Sequence, residues 1–248
     1  MTDPSRARSF GPAAAAYDRY RPGYPAAAVA HALAGAGPRV LDLGAGTGKL
    51  TAALAAGRPG VVAVEPDPDM LAVLRARLPE VDARAGSAEE IPLPDGTVDA
   101  VLVGQALHWF EPGRAAAEIA RVLGPGGVLA ALWNGMDGDV GWIARFDEVR
   151  TGSPRPADNP AGGGEGIMLP GRPWFGPAEQ TVVPWSRPHT TEDLLAEQRT
   201  HSWALTADPA DREAVLDRLR GFLASCPETA AGRFDLPMRT IVQRARRR

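Results

Sequence analysis

The stretch Val40-Leu41-Asp42-Leu43-Gly44-Ala45-Gly46-Thr47-Gly48 decides how the rest of the chain is read. It is an apolar strand-length run that breaks into alternating glycines and is followed, from Lys49 to Ala56, by residues of helical composition. Glycine lets a backbone take positive φ and approach a ligand closely, and a helix N-terminus offers free N–H groups to an anion. A phosphate-binding loop of the form G-x-x-x-x-G-K-[ST] would need glycine at position 43 and Ser or Thr at 50, where Leu43 and Leu50 stand. A dinucleotide fingerprint G-x-G-x-x-G would need a third glycine at 49, where Lys49 stands. The actual spacing is G-x-G-x-G, with Asp42 two residues before the first glycine.

Outward from this loop the pattern is regular. Apolar runs at Arg39 to Leu43, Gly60 to Glu65, Val81 to Ala85, Val98 to Val103 and Gly127 to Trp133 alternate with helical segments at Lys49 to Ala56, Pro68 to Leu78 and Ala115 to Leu123. Such alternation predicts βαβ units and a parallel sheet. Gly124-Pro125-Gly126-Gly127 reads as a helix stop followed by a turn. After Trp133 the alternation fails, and the Pro- and Gly-rich stretch Thr151 to Pro177 suits an irregular surface insertion of the kind that often forms a lid. Glu179 to Trp185 and Met238 to Arg244 are expected to return as edge strands, separated by helices near Thr191 to Arg199 and Pro209 to Ala224. The expectation is an α/β, Rossmann-like doubly wound sheet of about seven strands. It forms one domain: a helical N-terminal cap (1–38), a ligand-binding core (39–134), and an insertion after the fifth strand with the C-terminal completion of the sheet (135–248).

Composition narrows the class of function. The chain has 248 residues, 44% hydrophobic and 23% charged, within the range of an ordinary globular protein. A formal net charge of -3 gives no electrostatic footprint for nucleic acid, and the basic tail of Arg244 and Arg246 to Arg248 reads as a solvated terminus. One cysteine, Cys226, excludes an internal disulfide and a multi-cysteine zinc site, and the widely spaced histidines predict no metal. No apolar stretch approaches the roughly 20 residues that span a bilayer. The N-terminal segment has no apolar core of a secretion signal. A soluble, cytoplasmic protein is expected, with a small-molecule partner and no membrane or nucleic acid; the oligomeric state is open.

The glycine loop with its preceding acid resembles motif I of class I S-adenosylmethionine-dependent methyltransferases, whose loop backbone packs against the amino-acid portion of the cofactor. The resemblance is to small-molecule enzymes of the trans-aconitate methyltransferase-like, methyltransferase type 11 group. It implies S-adenosylmethionine as cofactor, contacts from Gly44, Ala45, Gly46, Thr47 and Gly48, and Asp42 as the holder of the cofactor's ammonium. Glu65 ends the second strand, where a carboxylate can accept both ribose hydroxyls; Pro66 follows it, and Met70 one turn into the next helix would lie along the adenine. Ser87, Ala88 and Glu89 after the third strand match the region that reads the adenine edge, although position 87 is often Asp in relatives. The run Glu118 to Gly127 is a further feature of the family.

After the fourth strand, Gln105 and Ala106 would sit beside the cofactor, and His108 and Trp109 would face the methyl group and acceptor, with Trp133 and Trp203 as further acceptor contacts. His108 is the candidate for a direct chemical role; a loop imidazole is the alternative. Phe10 to Pro25 is similar to the family's N-terminal cap, in which an aromatic and an arginine cover the cofactor's carboxylate. Tyr17 and Arg21, four residues apart on one helix face, fill those places. The Pro/Gly-rich insertion with His189, His201 and Trp203 is expected to close over the acceptor, although Trp174, Trp185 and Trp203 each read as core ahead of substrate shelf.

The expected activity is methyl transfer to a small organic acceptor at oxygen, carboxylate ahead of hydroxyl. The alternatives are a cyclisation or rearrangement on the same fold and cofactor, and RNA or protein methylation. The last is disfavoured by Gln105-Ala106-Leu107-His108 where an Asn/Asp-Pro-Pro-aromatic motif would stand.

Overall fold

In the computed structural model, which describes residues 18–58, 60–153 and 168–248, seven strands form one sheet: β1 (Val40–Leu43), β2 (Val61–Glu65), β3 (Asp82–Ala85), β4 (Val98–Gly104), β5 (Leu123–Met136), β6 (Glu179–Thr190) and β7 (Arg233–Arg246). Their order is β3-β2-β1-β4-β5-β7-β6. The first five are parallel, and β7 runs antiparallel to both β5 and β6. The chain winds outward in both directions from β1, so the sheet has its switch point between β1 and β4. An open α/β sheet places its ligand crevice there, beyond the carboxyl ends of the strands.

The expected strands are all present, but one expectation about their position is corrected. β7 lies inside the sheet, between β5 and β6, and is not an edge. Its Leu236, Met238, Ile241, Val242 and Ala245 are buried, with Leu236 and Met238 under the helices that cover this part of the sheet. β6 forms the edge, as expected for it. It holds Pro184 and Pro188, which an edge tolerates because an outward-facing N–H has no ladder partner to lose.

The helices are α1 (Ala26–Ala32), α2 (Lys49–Ala55), α3 (Pro68–Arg77), α4 (Pro112–Val122), α5 (Gly141–Thr151), α6 (Thr191–Gln198), α7 (Ser202–Thr206) and α8 (Pro209–Ser225). Asp67 starts α3 by accepting the N–H groups of Asp69 and Met70 at 2.9 and 3.1 Å, with Pro68 in the first helical position. Glu111 and Pro112 start α4 in the same way, three residues before the expected Ala115. The helix α5 falls where sequence alternation fails, and α1 was not expected as a separate helix. The Gly124–Gly127 stop is real, but its turn is looped out of β5: the register against β4 jumps from Val98↔Leu123 to Ala100↔Val128.

Period-two alternation divides the core. Val40, Ala100, Leu102, Val128, Ala130 and Leu132 face α1 and α2 on one side of the sheet. Leu41, Leu43, Val101, Val103, Leu129 and Ala131 face α4 on the other. A third cluster joins Trp142, Ile143 and Phe146 of α5 to Leu194 and Leu195 of α6, Leu216, Leu219 and Leu223 of α8, and Leu236 and Met238 of β7. The segment after the fifth strand is thus a helical layer with its own core as well as a surface insertion; residues 154–167 of that insertion lie outside the described residues.

Candidate active site

A cleft of about 1310 Å³ opens beyond the carboxyl ends of β1, β2 and β4. Asp42 and Glu65, the acids of β1 and β2, form its floor. Asp42 is fully buried, and its Oδ2 accepts the Thr51 hydroxyl at 2.6 Å while Oδ1 has no partner. Burial pushes its pKa up to about 7, with the Thr51 bond opposing and the Glu65 charge adding to the rise. Glu65 is also pushed up to about 7 by burial, against the backbone N–H groups of Asp67 and Gly46, each donating at 2.8 Å. Two neighbouring carboxyls held this far from their ordinary range in one cleft are a mark of a functional site.

Gly44, Ala45, Gly46 and Thr47 line the cleft above these acids. Gly44 has φ +69°, and a Cβ there would lie 2.8 Å from that of Ala106, so the turn requires glycine. The Thr47 hydroxyl is buried without a partner. Gly48 is not on the cleft: it begins α2 at φ +83°, and a Cβ there would meet Leu74 of α3 at 2.9 Å.

Pro66, Met70, Ser87, Ala88 and Glu89 line the adjoining wall. The Glu89 carboxylate accepts the N–H of Glu111 at 2.8 Å, tying the segment after β3 to the start of α4. Gln105 and Ala106 follow β4 on the opposite side. Gln105 takes a left-handed φ of 60°, rare for a residue with a side chain. Its N–H donates to Leu132 O at 2.9 Å and its side-chain amide to Asn134 O at 2.8 Å, which hold the turn in place. His108 and Trp109 occupy a short 3-10 turn, Leu107–Trp109, with ring centroids 4.4 Å apart. His108 reaches solvent at the rim, and partial desolvation lowers its pKa.

The cap and the C-terminal half close the far side. Arg21 lines the cleft and donates from Nε to the Thr200 hydroxyl at 3.0 Å and from Nη2 to the Thr200 carbonyl at 3.1 Å. Tyr17, its expected companion, lies outside the described residues. Tyr24 and Lys49 also line the cleft, and neither was singled out as a site residue from sequence. Tyr24 packs where a side chain on Gly104 would collide with its hydroxyl at 2.6 Å. Lys49 pairs with Asp18 at 3.4 Å. His201 and Met168 complete this wall.

Three expected acceptor contacts are elsewhere. Trp133 is only 3% exposed and packs in the core against α4, because its position on β5 faces inward with Leu129 and Ala131. Trp203 packs on the third core cluster. His189 is buried beside Glu197, its Nε2 3.5 Å from the carboxylate that also pairs with Arg187. Of the other tryptophans expected in the core, Trp185 packs on the third cluster while Trp174 is exposed. Among the described residues no group of three or more His, Cys, Asp or Glu could hold a metal ion, and no helix is long and apolar enough to cross a membrane.

Comparison with known proteins agrees with this geometry. Residues 41–131, β1 through most of β5, match the family model described as a methyltransferase domain. An uncharacterised methyltransferase of Mycobacterium tuberculosis is 44% identical over 240 residues, covering 96% of this chain and 95% of that protein. A malonyl-[acyl-carrier protein] O-methyltransferase of Methylococcus capsulatus is 42% identical over 98 residues, 37% of this chain and 36% of that protein. The solved structure of a candidate type II methyltransferase from Anaeromyxobacter dehalogenans is 26% identical with a TM-score of 0.62, covering 92% of this chain and 98% of that one. With the switch-point cleft, the buried acids at the ends of β1 and β2, and a relative matched nearly end to end, the chain belongs to the class I S-adenosylmethionine-dependent methyltransferases.

Proposed function

We propose that the protein transfers a methyl group from S-adenosylmethionine to the oxygen, carboxylate or hydroxyl, of a small organic acceptor. The observation that carries this reading is the pair Asp42 and Glu65 on the floor of a cleft of about 1310 Å³. That volume exceeds the roughly 300–1,000 Å³ of an ordinary small-ligand pocket, so a second small molecule fits beside a cofactor. The donor set suits the cofactor. The unpartnered Asp42 Oδ1 is the atom an ammonium group would satisfy, and the Glu65 oxygens, each accepting one backbone N–H, retain lone pairs for ribose hydroxyls. In this reading Gly44 to Thr47 give backbone contact, Pro66, Met70 and Ser87 to Glu89 border the adenine, and Gln105 and Ala106 flank the reacting end. Arg21 covers the carboxylate, and His108 and Trp109 meet the acceptor from the rim.

S-adenosylmethionine, when bound, supplies a methyl group already activated on a sulfonium. What the chain must add is position and exclusion of water. Oxygen as the methylated atom is supported by the O-methyltransferase similar over the core, and a small acceptor by the net charge of -3 and the size of the cleft. The cap (1–38), core (39–134) and remainder (135–248) act as parts of one domain.

Calorimetric titration with S-adenosylmethionine and S-adenosylhomocysteine tests the cofactor half, with micromolar binding expected for the wild type and lost in Asp42→Ala. Absence of binding to either ligand sinks the reading. Turnover of an acceptor with the cofactor unchanged would replace methyl transfer by cyclisation or rearrangement.

A further inference from the structure

The turn after β4 would form most easily with glycine at position 105, yet Gln105 stands there. Glycines aside, it alone among the described residues takes a left-handed φ, which glycine adopts without strain. A side chain kept in a sparsely populated conformation is held by its surroundings, and such positions cluster at functional sites. Here the surroundings also fix which way the amide faces. Asn134 O is a backbone carbonyl and can only accept; it lies 2.8 Å from Gln105 Nε2, so the nitrogen is turned toward β5 and Oε1 away from that carbonyl. Among the described residues nothing donates to Oε1, and the oxygen is not buried. Two spaces adjoin the residue. One is a lobe of about 20 Å³ shared with Arg21, Tyr24, Lys49 and Asn134, room for one water molecule. The other is the cleft, the one of the two large enough for a substrate. A molecule in the cleft therefore meets a fixed amide oxygen, which accepts hydrogen bonds, carries no charge, and cannot turn into a donor without giving up the Asn134 bond.

We propose that Gln105 Oε1 selects the methyl acceptor by accepting the hydrogen of its hydroxyl, so that the substrate class is an alcohol or phenol and not a carboxylate. This rests on the methyl-transfer reading above and narrows its carboxylate-or-hydroxyl choice. An O–H directed at Oε1 leaves the lone pairs of its oxygen free to face the methyl group. That oxygen forms its bond to the methyl carbon as the sulfur–methyl bond breaks, and the bonding pair leaves with sulfur. The hydroxyl proton, which an amide does not keep, passes to water at the rim, where His108 is exposed. A carboxylate has no proton to donate and would set its lone pairs against those of Oε1. Discrimination of this kind works by leaving polar groups unpaired when the wrong substrate binds.

The test uses the full chain saturated with S-adenosylhomocysteine and a matched pair of small probes, phenol and benzoate. With glutamine side-chain amides isotopically labelled, the Gln105 resonance, assigned by its loss in Gln105→Met, should shift on titration with phenol and stay in place with benzoate. Gln105→Met keeps the side-chain length and the backbone strain but removes the amide, and should weaken phenol binding by about 3- to 10-fold, the worth of one neutral hydrogen bond. Affinity for S-adenosylhomocysteine should change by less than about twofold, because a thioether sulfur has no hydrogen to donate. Retained affinity also shows that the variant is folded. A Gln105 amide that phenol leaves unmoved, or that benzoate moves equally, overturns the proposal while the cofactor reading stands. An equal loss of S-adenosylhomocysteine affinity in Gln105→Met assigns the side chain to the cofactor and overturns it too. Failure of the wild type to bind S-adenosylhomocysteine overturns both readings.

Discussion

Asp42 and Glu65 show how a residue's function and its stability cost arise from the same burial. Both carboxyls hold their protons more tightly folded than unfolded, since each rises to about 7 from an unfolded value near 4. Their contribution to stability is therefore complete below about pH 4 and lost as the pH rises through about 7. The unliganded protein is expected to melt at a lower temperature at pH 8 than at pH 5, a difference on the order of a few kcal/mol for the pair. A bound ammonium favours the ionised form of Asp42, so saturating S-adenosylmethionine should shrink that fall, and Asp42→Asn should reduce it in the unliganded protein to the share that Glu65 contributes. Scanning calorimetry across this range checks all three, and a flat wild-type profile would mean carboxyls of ordinary pKa. Both acids were legible in the sequence because a strand-end carboxylate beside a glycine turn is a local pattern. The packing around Gly48 was not legible in the same way, because the side chain that a Cβ there would meet, Leu74, lies on a different helix.

At the scale of elements, the turn after β4 is held by a relay that no local pattern displays. Gln105 donates to the Asn134 carbonyl, the Asn134 amide donates to Gly23 O at 2.9 Å, and the Thr240 hydroxyl donates to Asn134 Oδ1 at 2.6 Å. Trp185 on β6 then donates from Nε1 to the Thr240 hydroxyl at 3.0 Å. One side chain at the end of β5 thus joins β7 to the cap that carries Arg21 and Tyr24. Asn134→Ala removes two of these bonds and is expected to destabilise the protein by about 1–3 kcal/mol, measurable by chemical denaturation. Hydrogen exchange should show residues 18–24 losing protection before the strands do. Protection unchanged in the cap would mean that other contacts hold it. The seven strands themselves were legible because strand periodicity is written residue by residue, but β5, β6 and β7 run well beyond the segments expected for them. The helix α5 was not, since its apolar face is matched to α8, whose sequence lies some 60 residues further on.

Across the whole molecule, long-range polar contacts join the C-terminal half to the cap. Arg187 of β6 pairs with buried Glu197 of α6 and also donates to Tyr20 O at 3.4 Å. Glu197→Ala leaves that arginine without its counter-charge and should cost about 3–5 kcal/mol. For a domain of this size that is a fall of roughly 2–4 °C in melting temperature per kcal/mol. A loss below about 1 kcal/mol in thermal unfolding would class the pair with weak surface ion pairs. The sequence by itself determined the alternation of β1 to β5, the glycine turn and the acids of the cofactor floor, because each depends on neighbours within a turn or a strand. Only the tertiary structure decided that Trp133 and Trp203 face inward, that β7 enters between β5 and β6, and that Arg21 and His201 meet on one wall although 180 positions separate them. Which face a side chain presents depends on the partner packed against it, and here that partner comes from the opposite end of the chain.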